Sequence, residues 1–165
     1  GIRYERTHFV SAPGEVFVSR LTASRPGSLS FTVSLDRPER FTTAAAGPNE
    51  LLMTGTLNDG RGGRGVAYAA RLRVLAPGGS VTAQANRLVV SGADDVVLLL
   101  AAATDYRGFA GRQLTDPIAA ATADLERAAA RSFDELRREH LRDFRGWFDR
   151  VELRLPATAN SALPT

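Results

Sequence analysis

Ser28-Leu29-Ser30-Phe31-Thr32-Val33-Ser34-Leu35 alternates hydroxylated and apolar side chains without a break. Successive side chains of an extended strand point to opposite faces, so this stretch reads as a strand with one apolar and one hydroxylated face. Tyr68, Ala70, Leu72 and Val74 repeat the period against Arg71 and Arg73. Turn residues punctuate everything from Ile2 to Thr104: Ala12-Pro13-Gly14, Arg25-Pro26-Gly27, Ala46-Gly47-Pro48-Asn49, Asn58-Asp59-Gly60, Pro77-Gly78-Gly79 and Gly92-Ala93-Asp94-Asp95. So many short strands exceed what one flat sheet carries, and two sheets packed face to face bury such stripes. The expected class is therefore mainly β, an antiparallel β-sandwich. Val96 to Ala103 is apolar without alternation, as befits a strand covered on both faces near the middle of the fold.

After Arg112 the period becomes helical. Asp116 before Pro117 is a helix start, with the carboxylate as N-cap and proline where its missing N–H costs nothing. Ile118, Thr122, Leu125 and Ala129 then share a face. Ser132-Phe133-Asp134-Glu135 is a capping box opening a second helix, whose apolar stripe is Phe133, Leu136, Leu141, Phe144, Phe148 and Val151, with Trp147 at its edge. Val151, Leu153 and Leu155 alternate with Glu152 and Arg154, which predicts a short final strand. Pro156 to Thr165 reads as a linker.

At 165 residues and 44% apolar composition, the chain suffices for one core without disulfides or a structural metal. The absence of cysteine excludes thiolate zinc sites, iron–sulfur ligation and a thiol nucleophile. All 21 basic residues are arginine, and the net charge is only +3. So small an excess makes a weak field, and no nucleic-acid partner is expected. The run from Val96 to Ala103 is far shorter than the roughly 20 residues that span a bilayer, and no membrane association is expected either.

Candidate chemistry is sparse. Gly60-Arg61-Gly62-Gly63-Arg64-Gly65 contains the letters of a dinucleotide fingerprint, but a strand follows where a helix is required, so a hairpin loop is the reading. His140 and Asp143 lie three apart on one helix face, where a carboxylate can hold an imidazole. A third member of a catalytic or metal constellation is missing from their surroundings. Glu135 with Arg138 and Glu139 with Arg142 read as surface pairs. Asp94 and Asp95 are turn acids, pointing apart rather than sharing a cleft. No cofactor is indicated.

Six segments in order carry a resemblance that covers nearly the whole chain. They are Tyr4-x-Arg6-x-x-Phe9-x-Ser11-x-Pro13 with Val16-Phe17-Val18-x-Arg20-Leu21; Gly27 through Leu35; Arg71-Leu72-Arg73-Val74; Gly78-Gly79-x-Val81; Gly92-Ala93-Asp94 leading to Leu99-Leu100-Ala101-Ala102-Ala103-Thr104-x-Tyr106; and Leu136-Arg137-x-x-His140-x-x-Asp143-Phe144-x-x-x-Phe148-x-Arg150-Val151-x-Leu153-x-Leu155 before Leu163-Pro164-Thr165. This string resembles the N-terminal region of the bacterial α-L-fucosidases of glycoside hydrolase family 95. The resemblance implies a large, super-sandwich-like β-domain, then a helical linker arm, then a toroid of helical hairpins that carries an inverting active site.

On that resemblance, residues 1–112 are a sandwich domain lacking its N-terminal part, because the family's opening tryptophan and Gly-Asn-Gly motifs are not in the chain. Residues 113–155 are the helical arm with its short strand, and 156–165 lead toward a catalytic domain beyond the sequence. No catalytic residue of the family can be carried over to any position here. The implied partners are the downstream catalytic domain and, through the parent protein, a fucosylated oligosaccharide or polysaccharide. Extracellular or periplasmic placement is the family's habit. His140, Asp143, Phe144, Trp147, Phe148 and Arg150 are then expected to form an interface between domains. The competing expectation is an independent module whose sandwich loops bind carbohydrate or a partner, and a third is a self-contained hydrolase using His140 and Asp143.

Overall fold

The computed structural model describes residues 1–107, 115–154 and 156. Among them, nine strands precede two helices: β1 (Tyr4–Ser11), β2 (Val16–Ala23), β3 (Leu29–Ser34), β4 (Thr42–Gly47), β5 (Glu50–Asn58), β6 (Arg64–Leu75), β7 (Ser80–Gln84), β8 (Arg87–Ala93), β9 (Asp95–Thr104), α1 (Pro117–Ala129) and α2 (Phe133–Phe148). The strands form two antiparallel sheets, one of six in the order β1-β2-β9-β6-β5-β4 and one of three in the order β3-β8-β7. The chain is thus the expected sandwich with two C-terminal helices.

The alternation of β3 becomes its packing: Leu29 and Val33 are buried while Ser30, Thr32 and Ser34 face water. With Leu88 and Val90 of β8, they meet Leu51, Leu72, Val74 and Val96 of the larger sheet across the first core. β9 runs between β2 and β6, at Leu99↔Val18 on one side and Leu99↔Arg73 on the other. Its even residues Val96, Leu98 and Leu100 join this core, while Leu99 and Ala101 point the opposite way into a second. Both faces of β9 are therefore covered, which is why its sequence does not alternate.

The second core is made by the helices. Leu125 and Ala128 of α1 and Leu136 of α2 pack on Val16, Val18, Leu99 and Ala101, and Ala121 packs on Ala69 and Ala103. Burying a leucine of this kind contributes roughly 1.5–3 kcal/mol. The buried stripe of α1 is Ala121, Asp124, Leu125 and Ala128. It is rotated from the expected stripe of Ile118, Thr122, Leu125 and Ala129, and Ile118 stays exposed. Alanines win the contact because Ala69 and Ala103 let the helix approach only if its own side chains are short.

Both helix starts follow their local chemistry. Asp116 Oδ1 accepts hydrogen bonds from the backbone N–H of Ile118 at 2.9 Å and of Ala119 at 3.0 Å, with Pro117 beginning the helix. The expected final strand does not form between Val151 and Arg154, where Val151 is 81% and Leu153 79% exposed. Alternation provides a face, but a strand also needs a neighbouring edge for its N–H and C=O groups, and none among the described residues pairs with this segment. Leu155, the expected boundary at 112/113 and the linker from residue 157 lie outside the described residues.

Candidate interface on the second helix

The capping box fixes where α2 begins. Ser132 Oγ accepts from the N–H of Glu135 at 3.3 Å, and Glu135 Oε2 accepts from the N–H of Ser132 at 2.8 Å and from its hydroxyl at 2.7 Å. The Ser132 hydroxyl, then its backbone N–H, hold the Glu135 carboxyl below its ordinary value. One residue on, Phe133 is clamped. Its ring lies 4.9 Å from the Arg20 guanidinium carbon and 5.8 Å from the Phe9 ring. Arg20 is itself fixed by Asp95, with Nε donating at 2.9 Å and a terminal nitrogen at 2.5 Å.

From this anchor a line of rings runs along the helix. His140 stacks on Phe9 at 4.9 Å, Phe144 lies 5.9 Å from His140, and Phe148 stacks on Phe144 at 5.1 Å. The spacing of four places 136, 140, 144 and 148 over one another, so the face that buries Leu136 continues through these rings. It continues without cover: Phe144 is 48% exposed, Phe148 65% and Trp147 67%, against 1% for Leu136. The Arg150 guanidinium carbon sits 4.3 Å over the Trp147 ring while its Nε donates to the Gly146 carbonyl at 2.7 Å. Five of the six expected residues thus lie on or beside one aromatic strip.

Asp143 is next to His140 in the helix, but no hydrogen bond joins them; the imidazole is held by Phe9 instead. Phe9, from the first strand, is the member that the helix periodicity alone could not supply. The expected surface pairs differ as well. Glu135 turns back to Ser132, and Glu139 is paired with Arg131 across the interhelical turn rather than with Arg142.

Polar contacts lock α1 to the sheet. Arg71 and Arg73 point not to water but under α1, where the Glu50 carboxylate, 9% exposed, receives Arg71 Nε at 2.8 Å and Arg73 Nε at 2.6 Å. Arg71 also donates to the Thr122 hydroxyl at 2.8 Å, and Arg73 to Glu126 at 2.5 Å. Arg73 holds the Glu126 carboxyl below its ordinary value.

The remaining candidates are structural. Gly60 to Gly63 lie in the loop of the β5–β6 hairpin, with Arg64 and Gly65 beginning β6, and in that loop Asp59 Oδ1 accepts from the N–H groups of Arg61 and Gly63, both at 2.8 Å. Gly60 and Gly62 have φ of 77° and 88°, which side chains other than glycine's rarely adopt. Asp94 accepts from the Gly27 N–H at 2.6 Å while Asp95 pairs with Arg20, so the two carboxylates diverge as expected.

Two comparisons with known proteins bear on this geometry. Residues 1–109 match the family model described as "Glycosyl hydrolase family 65, N-terminal domain". The chain is also 30% identical over 184 aligned positions to "Alpha-L-fucosidase 2" of Arabidopsis thaliana, a match that covers 97% of this chain and 22% of that protein. The chain thus spans about a fifth of the length of this curated relative.

Proposed function

The chain belongs to the family of glycosyl hydrolase family 65 N-terminal domains, and from that premise we propose that it is the non-catalytic front part of a longer glycoside hydrolase. The parent enzyme is an inverting α-L-fucosidase of the family 95 kind, cleaving a fucosylated oligosaccharide or polysaccharide. The fucosidase relative and the six ordered segments from Tyr4 to Thr165 support that sugar. In this reading the reacting groups lie on a helical catalytic domain after Thr165, and the present residues are its scaffold.

The observation that carries the scaffold role is the uncovered half of α2. Phe144, Trp147 and Phe148 continue the face that buries Leu136, and their exposure matches a surface that a partner covers. The catalytic domain is that partner. Arg150, pinned over Trp147, stands beside the aromatic contact with its charge solvated, and His140 joins the contact to Phe9.

The test is hydrolysis of a terminal α-1,2-fucosylated oligosaccharide by the full-length parent, with residues 1–165 assayed beside it. Release by the parent alone, with inversion at the anomeric carbon seen by NMR, is expected. Release by residues 1–165, or by neither protein, contradicts the proposal. The competing module reading would place a glycan in the groove beside the glycine loop, lined by Asn58, Asp59, Asp105, Tyr106 and Arg107. Calorimetric titration of residues 1–165 with fucosylated glycans is expected to give no heat; measurable binding favours the module.

A further inference from the structure

The two helices cross the larger sheet in opposite directions. α1 runs toward the Asp95 end of β9: Thr122 meets Arg71, and one turn later Glu126 meets Arg73, which pairs with Leu99. α2 comes back. Phe133 sits on Arg20, which pairs with Val97, and His140 stacks on Phe9, whose partner Val18 pairs with Leu99. Beyond Phe9 only two residues of β1 remain, about 7 Å of strand, whereas the eight residues from His140 to Phe148 carry α2 about 12 Å further. The exposed rings of Phe144, Trp147 and Phe148 therefore stand at and past the end of the sheet where β1 turns into β2.

The same end carries a groove. The pairs Phe17↔Leu100, Tyr68↔Thr104 and Gly55↔Tyr68 put the β1–β2 turn, the exit of β9 and the β5–β6 loop on one rim of the sandwich. There, a groove of about 500 Å³ is lined by Leu57, Asn58, Asp59, Asp105, Tyr106 and Arg107, a volume within the range of small-ligand clefts. Its polar atoms are held in place. Asn58 Oδ1 accepts from the Gly60 N–H at 3.1 Å, which leaves its NH2 to donate. Asp59 is fixed through Oδ1, and a side chain at Gly63 would begin 2.5 Å from Oδ2, so glycine there keeps that oxygen clear. Asp105 Oδ1 accepts from the Ala67 N–H at 2.8 Å, and the Tyr106 ring beside it is 62% exposed.

Fixed amide and carboxylate groups beside an open phenol ring suit a polyhydroxylated ligand, with the ring against the C–H face of a sugar and the oxygens on its hydroxyls. Two acids and one arginine line the groove, so no surplus of positive charge draws a polyanion. We infer that this groove holds neutral sugar residues of the glycan chain that bears the fucose, with the docked catalytic domain as the facing wall. β6 and β5 lie two and three strands from β2, about 10–15 Å. A domain of a hundred residues already has a radius of gyration of about 13 Å, and the relative has nearly four fifths of its length outside the matched region. A catalytic domain seated on the rings of α2 thus overhangs the groove. Alone the groove is one wall open to solvent, which agrees with the absence of heat expected from residues 1–165. The inference rests on the proposed docking of α2 and deepens the fucosidase reading by naming what holds the rest of the glycan.

The experiment uses the full-length parent with Tyr106→Ala and Tyr106→Phe, comparing a nitrophenyl α-fucoside with a long neutral fucosylated oligosaccharide. Because Tyr106 is exposed, both variants are expected to melt with the parent. Tyr106→Ala should lower kcat/KM on the oligosaccharide about tenfold, chiefly through KM, and leave the nitrophenyl fucoside unchanged. Tyr106→Phe should keep most of the activity, since the ring is retained. A loss that is equal on both substrates, a loss on the short one alone, or no loss at all overturns the inference. A parent that cleaves neither substrate overturns the fucosidase reading; affinity of the intact oligosaccharide for that parent then decides the groove, which stands if Tyr106→Ala weakens binding about tenfold and falls if binding is unchanged.

Discussion

α1 and α2 follow one another with a three-residue turn between them, yet they treat the sheet oppositely. α1 has 13 residues and buries four, two of them alanines, with an ionic clamp through Glu50, Arg71 and Arg73 beside them. α2 has 16 residues and buries only Leu136, while the rings of Phe144, Trp147 and Phe148 stay exposed. Small side chains buried at close approach mark a contact that is already complete. Large rings left exposed along the same face that buries a leucine are what the proposed docking on the catalytic domain accounts for. α1 is packed on the sandwich along its length, whereas α2 is packed on it through its first turns, and the proposal assigns the rest of α2 to the catalytic domain.

The sharpest way to break this contrast is at the clamp. Glu50→Ala leaves two partly buried guanidinium groups facing each other, and removing one member of such a buried set typically costs about 3–5 kcal/mol. Chemical denaturation should show that loss, with α1 detached from the sheet. A variant as stable as the parent would mean that the clamp holds nothing. Leu125→Ala should follow, at about 2–5 kcal/mol, since the side chain is wholly buried between α1 and the sheet.

These two sites also show what was legible in the sequence. Local chemistry was: Asp116-Pro117 and Ser132 with Glu135 open helices where their spacing predicts, because a cap is settled within four residues. The unbroken apolar run of β9 announced its central place, since burial on both faces removes alternation. What stayed hidden depends on distant partners. Arg71 and Arg73 read only as the face opposite Tyr68, Ala70, Leu72 and Val74, because nothing local says that α1 will cover them. The division into sheets of six and three strands, Phe9 joining the rings of α2, and the failure of Val151 to Arg154 to pair are of the same kind. Exposed aromatics on α2 were expected from the resemblance, whereas periodicity alone gave only an apolar stripe.

Smaller effects sharpen the comparison helix by helix. Ser132→Ala removes the cap of α2 and should cost about 1 kcal/mol in thermal melting, with Ser132→Asn restoring most of it. No change would mean that Phe133 and Arg20 alone fix the helix start. The smallest effect is a pH dependence. Arg73 holds the Glu126 carboxyl below its ordinary value near 4.5, so the folded state binds fewer protons than the unfolded chain. The stability from this pair is fully present above pH 4.5 and is lost as pH falls through the lower, folded value. Glu126→Gln should therefore flatten the acid limb of stability against pH while leaving its slope near neutrality unchanged. An acid limb identical to that of the parent would remove Glu126 from the account.

The most direct measurement is the melting of the full-length parent carrying Phe148→Ala. Phe148 is 65% exposed within these residues, so its loss matters only if another part of the parent covers it. The account predicts a destabilisation of about 3–5 kcal/mol, the typical result of truncating a phenylalanine in a packed contact. An unchanged melting temperature would show that the aromatic face of α2 docks nothing.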